Sequence, residues 1–325
     1  MTAGAVEADR VLHDLADLWV SLGKEGESKG GVLRACAMTL VVVTESADEA
    51  DLGETLAALM PHHPSRTVVV RLSGGEPEIS ARVFAQCWMP FGGRQQICCE
   101  QIEIRAPHQA LEDVAALIVP LVAADLPVVV WAREASLLER PEFVSMARIA
   151  RRVVSDSSHG GSVTSFRRLR EAGHTVADLA WTRITRWREL LAQIFENPQY
   201  LAELPAVAEI EIRHSSQPIP PAARYLAAWV ESCLEQVEAH PTMEFAEGGG
   251  VEGTINRLAL RSPQLSVCIE KVEDGVVEVR VDGLNNRAVF QPSTEYSLLD
   301  EELSVVRRDY VFEQVLDRVC GSAAG

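Results

Sequence analysis

Surplus positive charge is what this 325-residue chain most lacks. It carries 47 acidic against 30 basic side chains, a formal charge of -17. That balance excludes an electrostatic grip on nucleic acid or on an anionic membrane. Cys-x-x-Cys spacing is absent, and seven cysteines is an odd number, which fits a reducing compartment better than a disulfide framework. No Ser-His-Asp, Gly-x-Ser-x-Gly, His-Glu-x-x-His or P-loop spacing occurs, so nothing in the wording demands catalysis. Cys98 and Cys99 are adjacent in an extended stretch and point to opposite faces, which is wrong for shared metal coordination. The expectation is therefore no catalytic residue, no metal and no cofactor. The first residues show no basic region before an apolar run, which predicts no signal peptide and a cytoplasmic location. The apolar stretch Val114–Ala132 is interrupted by Pro120, Asp125 and Pro127. It reads as a helix, a turn and a buried strand rather than a membrane span.

The apolar pattern divides the chain into two domains, as its length suggests. Residues 1–172 predict an α/β, Rossmann-like domain with an open, mostly parallel sheet and helices on both faces. An amphipathic helix over 6–22 places Val11, Leu15, Leu18 and Leu22 on one side, and a polar connector follows from Lys24 to Gly31. Val32–Val43 is continuously apolar, as in strands buried on both faces. A helix over 47–59 and a strand over 67–72 follow. Strands over 81–88 and 96–105 alternate more clearly, as an antiparallel hairpin added at a sheet edge does. A helix over 107–122, a strand over 128–131, a helix over 138–147 and a strand over 153–155 complete the domain. Residues 173–325 predict an α+β domain with an antiparallel sheet: a strand near 207–213, a helix over 222–239, four alternating segments between 242 and 282, and closing helices over 293–303 and 309–320. Asp274-Gly275 is a hairpin signal between the last two segments.

The most informative stretch runs from Thr175 to Pro198. It reads as one helix, with Thr175 and Asp178 as a capping box and Asn197-Pro198 as a stop. Ala180, Ile184, Trp187, Leu191, Ile194 and Phe195 fall on one face, and Arg183, Arg186 and Gln193 on the other. Tryptophan and arginine dominate binding energy at protein interfaces. The bland alternative is a core helix with a solvated arginine face.

The wording Asp178-Leu-Ala-Trp-Thr-Arg-Ile-Thr-Arg-Trp-Arg-Glu189 resembles the signature helix of the glucose-6-phosphate dehydrogenase assembly protein family, OpcA. Arg34–Val43, His63–Val70 and Val154–Ser158 are similar to the same family and occur in the right order. The resemblance has specific wording from about residue 32 to 198 and rests on length and element order beyond. It implies a non-catalytic protein that binds glucose-6-phosphate dehydrogenase, an enzyme of the oxidative pentose phosphate pathway, and favours its active oligomeric form. On that reading Trp181, Arg183, Arg186, Trp187 and Arg188 contribute to the partner-binding surface or to the junction that shapes it, while Ile184 and Leu191 are core. The resemblance also raises redox control through a cysteine, although no cysteine stands out by its neighbours.

Other candidates compete with plainer readings. Gly248-Gly-Gly250-Val-Glu-Gly253 has dinucleotide spacing, but Thr254–Arg261 reads as a strand rather than the required helix. His63-Pro64-Ser65-Arg66, next to His62, looks catalytic, yet it links a helix to the start of a strand. There Pro64 ends the helix and Arg66 finds a carboxylate or carbonyl. Ligands of open parallel sheets collect at the strand carboxyl ends. That edge presents Ser73, Gly74, Arg133, Asp156, Ser157, Ser158 and His159, a candidate crevice for a sugar phosphate or other small-molecule effector. The plainer alternative is ordinary loop and cap chemistry. It leaves open an enzyme of sugar phosphates or a metabolite-sensing module. Finally, arginines crowd residues 140–188 while only Glu142, Asp156, Glu171 and Asp178 oppose them. This suits docking to an acidic partner or pairing with the chain's own carboxylates.

Overall fold

The computed structural model describes residues 7–26, 31–75, 78–90, 92–93, 95–249 and 254–322. It divides into two compact units, residues 1–177 with 295–306, and residues 178–294 with 307–325. The boundary thus falls a few residues beyond the expected 172. A late segment also returns to the first unit, which no local pattern announces.

In the first unit the order is α1 (Ala8–Gly26), β1 (Val32–Arg34), β2 (Met38–Thr44), α2 (Glu49–Leu59), β3 (Ser65–Ser73), β4 (Ser80–Trp88), β5 (Gln96–Pro107), α3 (Leu111–Ile118), β6 (Val128–Ala132), α4 (Phe143–Ile149), β7 (Arg152–Ser155), α5 (Val163–Glu171) and β8 (Val176–Asp178). The sheet runs β1-β5-β3-β2-β6-β7-β8, with β4 antiparallel to β5. Its register sets Val41 opposite Val68 and Val130 in parallel. Every residue of β2 is buried, as expected for a strand covered on both faces. Fully burying each of Val41, Val42 and Val43 contributes about 1.5–3 kcal/mol.

The expected single strand 32–43 is two, broken at Ala35-Cys36-Ala37, where Ala37 N–H turns to the Pro64 carbonyl at 2.7 Å. The hairpin is present, but its second strand β5 lies inside the sheet and only β4 is antiparallel. Cys87 and Cys98 face each other across that pair and form a disulfide with an S–S distance of 1.96 Å. This corrects the expectation of reduced cysteines only, because the two become neighbours through strand register and not through sequence spacing. Cys99 points the other way, with its Sγ 3.4 Å from the Ala35 carbonyl. Burial pushes its thiol pKa up against a backbone hydrogen bond at Ser65 that lowers it, and Cys36 and Glu100 add to the rise.

The second unit contains α6 (Leu179–Thr182), α7 (Thr185–Phe195), α8 (Pro198–Leu201), β9 (Glu209–His214), α9 (Pro221–Glu235), β10 (Thr242–Glu247), β11 (Ile255–Arg261), β12 (Ser266–Glu273), β13 (Val276–Val281) and β14 (Leu284–Val289). The segment α10 (Glu295–Ser304) belongs to the first unit, where it packs on α2, and α11 (Tyr310–Ser322) returns to the second. The second sheet, in the order β10-β9-β11-β12-β13-β14, is mixed rather than antiparallel. Its β10 joins β9 in parallel, because α9 carries the chain back across between them. Ile210, Ile212 and His214 of β9 are buried, while Glu209, Glu211 and Arg213 lie on the opposite face.

Among the described residues no helix is long and apolar enough to cross a membrane. Val114–Ala132 contains the end of α3, a short 3-10 turn and β6, in keeping with its prolines and Asp125.

Candidate functional site

The first unit's strand order places a topological switch point at the carboxyl ends of β2 and β6. From there the chain runs outward through β3 and β5 on one side and through β7 and β8 on the other. In open α/β sheets ligands enter at this point, and dinucleotide enzymes set a pyrophosphate on glycine-rich backbone there. Here the loop after β2 is Thr44-Glu45-Ser46-Ala47-Asp48, without glycine. The Glu134 carboxylate, just beyond β6, accepts the Thr44 hydroxyl at 2.8 Å and the Glu45 N–H at 3.1 Å. Asp48 accepts Ala50 N–H and Asp51 N–H as the N-cap of α2. Carboxylates of the chain itself thus hold donors that a bound phosphate would use.

Cations close around these acids. Glu45 pairs with Arg140, and its carboxylate oxygen lies 2.8 Å from His108 Nδ1. Arg133 pairs with Asp51 and, at 3.0 Å, with Glu295. Those two carboxylates raise the Arg133 pKa against the opposing effect of burial. Of the predicted crevice residues, Arg133 is therefore tied down toward α2 and α10. Ser73 Oγ accepts Gly75 N–H at 3.2 Å. Asp156 accepts Ser158 N–H at 2.9 Å and meets His159 Nδ1 at 3.1 Å, so a carboxylate of the chain itself engages this part of the predicted crevice. Gly161, at φ 80°, presses on Ala135, whose carbonyl carbon would stand 2.6 Å from any added Cβ. Ser73 ends β3 and Asp156 follows β7, three strand spacings apart or roughly 14 Å. The seven predicted residues share one sheet edge without converging on one small pocket.

The His63 quartet disperses to separate tasks at the opposite edge. His62 Nδ1 and His63 Nε2 approach Asp300 Oδ1 at 3.0 and 3.1 Å, and Ser65 Oγ pairs with Thr67 Oγ1 at 3.0 Å. Arg66 finds both a carboxylate and a carbonyl, donating to Glu100 and to Leu121 O at 2.6 Å each. Glu100 is 3% exposed, and it also receives Trp19 Nε1 at 2.5 Å and Arg34 at 2.7 Å.

In the second unit the predicted helix is broken. Asp178, not Thr175, is the N-cap, accepting Ala180 N–H at 2.9 Å, and Thr175 precedes β8. The helix stops at Thr182 and restarts at Thr185. Asp178 is fully buried and also accepts the Tyr225 hydroxyl at 2.8 Å. That long-range anchor overrides the local capping box. Ile184 and Leu191 are core as expected. Trp181 and Trp187 are each 3% exposed, inside the unit rather than on its face.

The five predicted partner-binding residues fall into two groups. Trp181 packs edge-on against Tyr225 and tilted against Phe312, and donates to Asp309 at 2.9 Å. Arg188 lies over its ring at 3.7 Å from the centroid. Arg183, Arg186 and Trp187 instead line a groove of about 510 Å³. Its other walls include Lys271 and Asp274 from the β12–β13 hairpin, Asn256 from β11, and Phe290. Trp187 meets Phe290 edge-to-face at 5.4 Å. Arg186 is exposed and pairs with Glu189 at 2.9 Å. Partial desolvation lowers the Lys271 pKa although the residue as a whole is exposed, Asp274 opposes this and Arg183 adds to it.

Sequence reasoning missed Lys271, Asn256 and Phe290 as companions of the arginines. The Asp274-Gly275 turn fixes where the hairpin lies but not which helix it faces. Of the glycine run 248–253, residues 250–253 lie outside the described residues. The remainder sits between β10 and β11, with Gly249 and Thr254 on the groove wall. Among the described residues no group of acidic, histidine and cysteine side chains has metal-binding geometry.

Comparison with known proteins assigns the lineage. Two family models match, described as the N-terminal domain and the C-terminal domain of the glucose-6-phosphate dehydrogenase subunit; the first spans residues 56–171 and the second residues 174–316. Relatives named OpcA, for the OxPP cycle, are 29% identical over 179 residues in Nostoc punctiforme and 27% identical over 192 residues in Synechocystis sp.. These matches cover 53% and 57% of this chain but only 38% and 39% of those proteins, so the chain spans well under half of their length. In fold, the chain is similar to a variant of KijD10, a 3-ketoreductase from Actinomadura kijaniata solved with TDP-benzene and NADP. That likeness has 12% identity and a TM-score of 0.50, and covers 88% of this chain and 96% of that one. It speaks for the architecture alone. With models of one family matching residues 56–171 and 174–316 and with named relatives alike over about half of the chain, the chain belongs to the OpcA family.

Proposed function

We propose that this chain is a non-catalytic, cytoplasmic partner of glucose-6-phosphate dehydrogenase that favours the enzyme's active oligomeric form. One observation carries the reading. The Glu134 carboxylate accepts the Thr44 hydroxyl and the Glu45 N–H at the switch point where an oxidoreductase of this fold would hold its dinucleotide. A cofactor phosphate brought there meets a like charge and amides already engaged. The names of the matching family models support the choice of partner. A protein that binds one oligomeric form better than another shifts the equilibrium by no more than that difference, typically about 1–3 kcal/mol.

On this reading the exposed Arg186 and the half-buried Arg183 and Arg188 face the partner, while Trp181 and Trp187 fix their positions from inside the unit. The test is co-migration of the purified chain with its cognate dehydrogenase, together with dehydrogenase activity measured with and without it. Independent migration at high concentration and low salt, with unchanged kinetics, removes the proposal. The rival reading, an enzyme of sugar phosphates, requires turnover by the chain alone, and any such turnover displaces the partner role.

A further inference from the structure

We infer that the outer edge of β4 pairs with the same strand of a second copy of this chain, joining two first-unit sheets across a two-fold axis. Strand β4 hydrogen-bonds to β5 and to no other described strand. About half of the N–H and C=O groups of such an edge strand point away from its one neighbour. Among the described residues, none of residues 80–88 makes a backbone hydrogen bond outside the β4–β5 ladder. The outward groups therefore face water, or a strand that can take them in series. Edges are ordinarily blunted by shortness, charge, proline or a bulge. Strand β4 is nine residues long without proline, and its register with β5 runs from Ser80 to Trp88 without a shift. Its one charged side chain, Arg82, turns to Glu103 at 2.8 Å.

The other sheet ends of this chain are protected in ways that β4 is not. Strands β1 and β8 are three residues each. Strand β10 carries Glu244 and Glu247, and β14 centres on Asn285, Asn286 and Arg287. The Cys87–Cys98 bridge also fastens β4 to β5, so the edge is held ready and little order is lost on association. Charge complementarity selects the occupant. Antiparallel pairing about an axis through Phe84 sets Phe84 against its counterpart, Arg82 against Gln86, and Ser80 against Trp88. No like charges meet in that register. Each guanidinium instead faces a neutral amide, and the two half-buried Phe84 rings cover one another. A net charge of -17 on each copy opposes the approach, and one strand buries a modest area, so the association belongs in the micromolar range.

The experiment is sedimentation equilibrium of the purified full chain, from micromolar to millimolar concentration at physiological salt, where long-range repulsion is screened. A monomer–dimer equilibrium is expected. Gln86→Arg sets two pairs of like charges face to face and should weaken it. Gln86→Glu sets a carboxylate against each Arg82 and should tighten it. Two cross-strand pairs of this kind change the constant by roughly two- to thirty-fold. Circular dichroism checks the fold of each variant, and the isosteric Gln86→Glu keeps the test open if Gln86→Arg does not fold. A monomer at every concentration overturns the inference. A dimer whose constant no folded variant moves forms elsewhere on the chain and overturns it too, as does a shift of both variants in the same direction. Loss of co-migration with the dehydrogenase in Gln86→Arg, with the chain itself monomeric, gives the edge to that enzyme and overturns self-pairing. The sedimentation measurements contain no dehydrogenase, so failure here leaves the partner proposal standing and the reverse also holds.

Discussion

Glu134 accepts the backbone N–H of Glu45 at 3.1 Å, bridging the ends of two strands, β2 and β6, that a nucleotide would otherwise span. The same carboxylate takes the hydroxyl of Thr44, a fully buried residue. Glu134→Ala leaves both donors without this acceptor and is expected to destabilise the chain by about 2 kcal/mol, seen as a lower urea midpoint with an unchanged slope. NADP should leave the melting temperature of the unaltered chain where it was. A rise of several degrees would contradict the closed crevice.

Glu100 gathers three donors on one buried carboxylate: Trp19 from α1, Arg34 from β1 and Arg66 from β3. Arg66 is itself almost wholly buried, so Glu100→Ala strands a guanidinium inside the fold. The expected cost is about 3–5 kcal/mol, and Glu100→Gln should recover part of it by keeping an acceptor. Chemical denaturation of both variants checks this, and equal stabilities for Ala and Gln would refute the acceptor argument.

The Cys87–Cys98 bridge closes a segment with a sequence separation of 11 on an already paired hairpin. Chain-entropy reasoning assigns such a loop about 2–3 kcal/mol. Melting with and without a reductant should therefore differ by several degrees. The Cys87→Ser, Cys98→Ser double variant should match the reduced protein and respond to reductant no further.

Arg186 lies exposed on α7, where its pair with Glu189 contributes little to stability. Arg183→Glu combined with Arg186→Glu should weaken activation of the dehydrogenase while preserving secondary structure. Rising salt should reduce the activation conferred by the unaltered chain in the same direction. Activation indifferent to both salt and charge reversal would remove this face from the interface.

Much of the architecture is legible because burial on both faces leaves continuous apolar strands, as in β2, and alternation marks strands such as β9 and β13. The lineage is legible in the wording around Trp181. The elements that sequence reasoning misreads are decided by distant contacts. Asp178 reads as the third residue of a capped turn, yet Tyr225, 47 residues on, holds it as the cap itself. Cys87 and Cys98 look unrelated until β4 and β5 come into register. The arginines at 183 and 186 give no hint that Lys271 and Phe290 complete their groove. Residue type announces a polar, turn-rich edge after β7, but only coordinates reveal that Asp156 consumes an amide that the pattern offers to a ligand.

The return of Glu295–Val306 to the first unit has a bearing on how the protein is made. Arg152 is nearly buried and depends on Glu302 for a 3.0 Å ion pair, and His63 depends on Asp300. A nascent chain that has emerged as far as residue 177 holds the sheet but lacks its last helix. The ribosome must translate nearly the whole second unit before the first can finish folding. Completion of the first half is thus delayed until most of the second has been made, and a fragment cut between them would lack part of its own interior.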